Sequence, residues 1–185
     1  MSESVSVTSE QLQRIRDALR DGPSQMTLQL ARKLGVPEAE VIRAMPDGRA
    51  VELDASRWEE LLRSFEELGK VHVIVSNGCV TTEAVGQFGG FSTWGEFFNV
   101  QSKSLDMHIR GARLAAVFAV VKPSHIDGVD TLSFQFYDGD GAAAFKVFVT
   151  FGGQNAAPDR RMLFDALRER FRLPAVDACT SPAHP

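Results

Sequence analysis

The sequence predicts an α+β fold: an antiparallel β-sheet in the middle of the chain, flanked by N-terminal helices and a C-terminal helix. Two observations carry this. Apolar residues recur every three or four positions from about residue 8 to Leu68, and again from Pro158 to Phe171, as one-sided helices require. Between Gly69 and Phe151 the period drops to two, the signature of strands with one buried face.

The helices come first. Thr8-Ser9-Glu10-Gln11 has capping-box spacing, Leu12, Ile15 and Leu19 fall on one face, and Gly22-Pro23 ends the segment. A second helix runs from about Thr27 to Gly35, and a third opens at Pro37 with Val41, Ile42 and Met45 as its apolar stripe. Ser56-Arg57-Trp58-Glu59 reads as another capping box, opening a helix with Trp58, Leu61, Leu62, Phe65 and Leu68 inward and Gly69 at its end.

The strands follow. Val71, Val73 and Val75 alternate with His72, Ile74 and Ser76, and Asn77-Gly78 predicts a two-residue type I′ hairpin turn with both residues at positive φ. The return strand runs from Cys79 to about Phe88, and the glycine-rich stretch to Gly95 reads as a loop. Two short strands, Gly95–Val100 and Ser104–Arg110, are expected in the middle of the sheet. Arg113 to Val121 is apolar on both faces, as in a fully covered strand. A loop with His125, a strand carrying Leu132, Phe134 and Phe136, the Asp138–Gly141 turn and a last strand from Ala143 to Phe151 complete the sheet, about seven strands in all. Pro158 opens the closing helix, with Leu163, Phe164, Leu167 and Phe171 as its stripe. The implied organisation is a helix and linker over 1–26, an α+β domain over 27–173, and a tail over 174–185 rich in Pro, Ala and Ser and expected to be disordered. Within the domain, 27–69 is helical, 70–151 is sheet and 158–171 is the last helix.

With 185 residues, 44% hydrophobic and 24% charged, the chain fits one soluble domain with a small helical appendage. Thirteen phenylalanines against one tyrosine mean a large apolar core with few phenols. A net charge of -4 gives no general attraction to nucleic acid or acidic membranes. No secretory signal or membrane-spanning run is visible, and two distant cysteines, Cys79 and Cys179, fit a reducing cytoplasm. Thr27 to Met45 has the shape of a helix-turn-helix, but Glu38 and Glu40 would open its recognition helix against phosphates, which argues against DNA. There is no HxH, HExxH, CxxC or GxSxG, so a closed zinc site and a hydrolase elbow are both unsupported.

One strand holds the chemistry. Leu105, Met107 and Ile109 share an inward face; Ser104, Asp106, His108 and Arg110 share the other. A lone surface histidine is usually only that. Yet His108 with Arg110, Lys103, Lys146, Phe97 and Phe148 includes the residue types a haem site uses: an imidazole for iron, aromatics for the macrocycle and cations for its propionates.

From about residue 28 to 171 the chain resembles the cytoplasmic haem-utilisation carriers of the ChuX/HutX family. The resemblance rests on ordered pieces: Leu34-Gly35-Val36, Val41 to Pro46, Trp58 to Val71, Gly95-Glu96-Phe97-Phe98-Asn99-Val100, Met107-His108-Ile109, Gly128 to Thr131, and Ala143 to Phe148. It implies a curved antiparallel sheet, a homodimer, and cytoplasmic binding of haem (haem b) as cargo, passed to a downstream haem-using or haem-degrading acceptor without insertion into a membrane. It also implies His108 as iron ligand. A second family histidine would fall near Ser76, which cannot ligate comparably, and the family's tyrosine near Phe97. His72, on the strand face of Ser76, is then the possible second ligand, and Tyr137 a weaker one. Arg110 is expected to reach a propionate and Asp106 to fix the His108 tautomer. A carrier without turnover is the leading reading. A reductant-driven haem-degrading enzyme is the alternative, and a haem-sensing helix-turn-helix regulator a second.

Overall fold

A computed structural model describes residues 7–125, 129–150 and 153–174. In chain order the elements are α1 (Ser9–Asp21), α2 (Thr27–Leu34), α3 (Glu38–Arg43), β1 (Ala50–Leu53), α4 (Trp58–Ser64), β2 (Lys70–Ser76), β3 (Thr81–Gln87), β4 (Phe91–Trp94), β5 (Phe97–Gln101), β6 (Asp106–Ile109), β7 (Leu114–Pro123), β8 (Asp130–Asp138), β9 (Ala143–Phe148) and α5 (Pro158–Phe171). The α+β class and the antiparallel pairing are as the sequence predicts. The single sheet is not. The strands form a six-stranded sheet, ordered β1–β7–β8–β9–β2–β3, and a separate three-stranded sheet, β4–β5–β6.

This corrects the placement of the histidine strand. β5 is the centre of the small sheet and β6 its edge, so neither lies in the middle of the large one. Two strands beyond the expected set account for the higher count. β1 pairs with β7 at the large sheet's edge, inside the segment expected to be all helical, and β4 pairs with β5 inside the expected glycine loop. The last strand ends at Phe148; Phe151 and residues 175–185, with Cys179 and His184, lie outside the described residues.

Local chemistry explains the ends. The Thr8 capping box forms, and Gly35 closes α2 in the left-handed region at φ +67. The expected Ser56 cap is replaced: Asp54 accepts from the Ser56 backbone and hydroxyl (3.0 and 2.6 Å), making a single 3₁₀ turn before α4 opens at Trp58. The Asn77-Gly78 turn also differs. Only Gly78 has positive φ (+83), and the loop spans four residues between the Ser76–Thr81 pair. The Asn77 side chain accepts from the backbones of Cys79 and Val80, both at 2.9 Å, and this local capping wins over the two-residue turn.

One face of the large sheet builds the main core. Val71, Val73, Val117, Phe134, Phe136 and Val147 pack against Leu61 and Leu62 of α4, Phe164 and Phe171 of α5, and Phe98 and Val100 of the small sheet. Phe65, fully buried after α4, meets the rings of Phe88, Phe134 and Phe136 at 5.4, 4.8 and 6.2 Å. On the opposite face, Ala39 and Ile42 of α3 cover Ala116, Phe118, Val120 and Tyr137. That cover lies over β7 and β8 and leaves the β9–β2 side of the same face open. Trp58 braces the small sheet: its ring meets Phe98 edge-on at 5.5 Å, and a Cβ at Gly111 would lie 1.9 Å from it.

Gly90 and Gly95 both have positive φ, +68 and +56, but a Cβ on Gly90 would sit 1.9 Å from the Gln101 carbonyl oxygen, while Gly95 has nothing within 4 Å. Alanine at Gly95 is therefore predicted to cost about 1 kcal/mol, and at Gly90 about 3 kcal/mol or more. Urea denaturation of the two variants checks this; equal losses would refute the close approach.

A candidate haem site in two parts

The sequence-predicted site residues fall on two sheets. His108, Phe97 and Arg110 lie on the exposed face of the small sheet, and Lys103 is exposed in the turn between β5 and β6. His72, Ser76, Lys146 and Phe148 lie on the open face of the large sheet and line a cavity of about 680 Å³.

On the small sheet, register sets the first arrangement. Asn99 of β5 stands directly opposite His108 of β6. The buried Asn99 donates its amide Nδ2 to Ser92 Oγ (3.1 Å), which turns Oδ1 to the His108 Nδ1 at 2.7 Å. Since a carbonyl oxygen only accepts, Nδ1 carries the proton, and in the neutral ring the lone pair lies on Nε2. The side chain is 56% exposed, so Nε2 points away from the core, with Asp106 Oδ1 3.7 Å off. The tautomer-fixing role expected of Asp106 thus belongs to Asn99. Phe97 meets the imidazole edge-on at 6.2 Å; Arg110 lies 4.9 Å over Phe97 and pairs with Glu96 at 3.2 Å. Met107 packs against the core, as its strand face requires.

On the large sheet, neighbouring strands set up rows across the open face. His72 stands beside Phe148, and Ile74 beside Lys146 on one side and Glu83 on the other. Met26, Thr27 and Leu28, at the start of α2, form one wall; Lys122, His125 and Val129, around the β7–β8 connection, form another. His72 Nε2 is 2.9 Å from Glu83, and its ring is 6.1 Å from that of Phe148. At the base, Glu38 is 3% exposed. Its Oε1 accepts from Thr27 (2.5 Å) and Lys146 (2.6 Å), while Oε2 has no hydrogen-bond partner among the described residues. Tyr137 is fully buried, donates to Gln135 at 2.7 Å and has its phenol pushed up by burial, then by Glu38. It is therefore not an accessible ligand.

Lys122, Glu38, Thr27 and Asn99 were not identified as site residues from the sequence. The only available signal was Asn99, which a correct β5–β6 register would have set opposite the histidine. α3 is six residues long, with Glu38, Ala39, Val41 and Ile42 buried. Among the described residues no group of three or more His, Cys, Asp or Glu side chains is placed to hold a metal ion, and no helix is long and apolar enough to cross a membrane.

The α+β fold thus carries a histidine-bearing sheet face and, separately, an apolar cavity lined by two lysines. The sequence profile of the haem utilisation ChuX/HutX family matches residues 51–167, and the chain belongs to that family. It is 24% identical over 145 residues to the intracellular heme transport protein HutX of Vibrio cholerae, covering 77% of this chain and 74% of that one. The crystal structure of ChuX superposes with a TM-score of 0.75 at 18% identity, over 84% of this chain and 96% of that one. Apo-PhuS, a heme-binding protein from Pseudomonas aeruginosa, superposes with a TM-score of 0.71 at 20% identity, over 90% of this chain but 49% of that one. At these identities the two structures establish likeness of fold.

The Asn99 contact gives a direct test. In neutral His108 the proton is predicted on Nδ1, and Asn99→Leu should return it to the Nε2–H form that a free imidazole favours. Imidazole ¹⁵N shifts above pH 8 read the difference; an Nε2–H ring in the wild type would refute the assignment.

Proposed function

We propose that the protein is an intracellular haem carrier, which receives imported haem as b-type cargo and passes it to a downstream haem-using or haem-degrading protein. The observation that carries this is the His108–Asn99 pair, which presents an imidazole Nε2 lone pair on an exposed face beside Phe97 and Arg110. That is the donor haem iron takes. Family membership and the name of the HutX relative support the same reading.

The two half-sites are best reconciled in a homodimer. The His108 face is exposed, with Trp94 of β4 77% exposed on the same small sheet, while the cavity has apolar walls but lies on the other sheet. A second copy would close the cavity of one protomer with the His108 face of the other. The haem edge would meet Lys146, its rings Phe148 and Ile74, and its iron the partner's His108. Arg110 would reach the second propionate, with Lys103 at the rim. His72 is the second candidate ligand; its Nε2 lies against Glu83, so iron bound by His108 alone is expected to be five-coordinate. PhuS, of whose length this chain spans about half, has room for two such units in one chain.

Titration of the purified protein with haemin is expected to give a saturable Soret band that persists on adding ascorbate; conversion to a bile-pigment spectrum would mean a degrading enzyme instead. His108→Ala should lose most of the Soret shift and His125→Ala none of it. An unchanged His108→Ala spectrum would move the ligand to His72. Sedimentation should show a species near twice the 20.3 kDa chain at tens of micromolar. A monomer alone would refute the dimer.

A further inference from the structure

Among the described residues, the cavity contains a cation with no carboxylate partner. Lys122 is the last residue but one of β7, and its ammonium donates to the backbone carbonyls of Ser24 (2.9 Å) and Pro123 (3.1 Å). Among the described residues no carboxylate pairs with it. The cavity's buried carboxylate, Glu38, is taken by Lys146 and Thr27. Asp130, across the β7–β8 connection, pairs with Arg49 at 3.3 Å, and Glu83 with His72. His125 completes the titratable groups around the cavity among the described residues. Two lysines therefore line a largely apolar hollow that supplies one buried acid. A half-buried cation with only neutral acceptors is costly, and an arriving anion relieves that cost.

We infer that Lys122 is a specificity-determining residue of this cavity, receiving a carboxylate of the bound ligand, so that the cavity selects a flat apolar molecule with an acidic edge over the same molecule without one. The inference rests on the haem reading and names what in haem the cavity selects. The placement is apt: two carbonyls hold the Lys122 ammonium and leave its third N–H for an incoming acceptor. Burial, then the charge of Lys146, lowers the Lys122 ammonium to about 8. A bound carboxylate favours the charged form, so binding draws a proton onto Lys122 near that pH. The advantage is full below about 8 and fades as pH rises above it.

The test titrates wild type, Lys122→Met and Lys122→Arg with haemin and with haemin dimethyl ester, at pH 7 and at pH 9.5. At pH 7, Lys122→Met should bind haemin about tenfold more weakly than wild type, as loss of one charge-assisted bond implies, and the ester with unchanged affinity. Lys122→Arg should keep haemin binding and lose the decline that wild type shows between the two pH values. The melting temperature of ligand-free Lys122→Met should be at or above wild type, which separates lost recognition from lost folding. Wild-type haemin and ester affinities that match, or a Lys122→Met variant that binds haemin as wild type does, would overturn the inference and leave the haem reading standing. If neither compound binds the wild type, the haem reading falls and the inference with it.

Discussion

The structure depends on a mismatch of widths. Six strands at ordinary spacing make a sheet about 24 Å across, while a packed helix covers about 10 Å of it. One face escapes the problem because α4, α5 and the small sheet cover it together, with Phe65 at the centre of the aromatic contacts. On the other face Ala39 and Ile42 of α3 cover Ala116, Phe118, Val120 and Tyr137, on β7 and β8. The strands beyond carry Ile74 and Phe148 among His72, Ser76, Glu83 and Lys146, with only the start of α2 beside them. The cavity is what remains, and its apolar walls follow from the same strand alternation that built the core.

The Glu38–Lys146 ion pair at its base is part of the same solution. Glu38 lies just past the α2–α3 turn and Lys146 on β9, so their contact ties the helical cap to the open half of the sheet. A buried pair of this kind adds little net stability over apolar packing, but breaking one partner leaves a charge stranded. It therefore fixes how far the cap extends over the sheet, and so where the cavity begins.

What was legible in the sequence was local. The Thr8 box, the change of period at Gly69 and the two faces of β6 follow from neighbours a few residues apart. What was not legible depended on pairing over distance. Nothing near Asp106–Ile109 says that it pairs with β5 in a sheet of its own. β1 and β4 are four-residue strands in polar or glycine-rich surroundings, too short to show a period. The Asn77 turn was misread because the side chain competes for backbone N–H groups, a choice the Asn-Gly signature leaves open. The histidine was legible as a residue type, whereas its tautomer required Asn99 across the strand pair. Lys122 read as the first residue of the loop after an apolar strand.

Trp58 has no reactive chemistry and no contact with the cavity, yet it supports β5 through Phe98 and occupies the space that Gly111 leaves next to Arg110. The strand bearing the imidazole is thus aimed by a helix that precedes both sheets' hairpins in the chain. A change at either residue of this Trp–Gly contact would shift the ring's bearing without touching any donor atom. Relatives that differ there can hold the same ligand at different angles, so two chains with identical donors need not give the same spectrum.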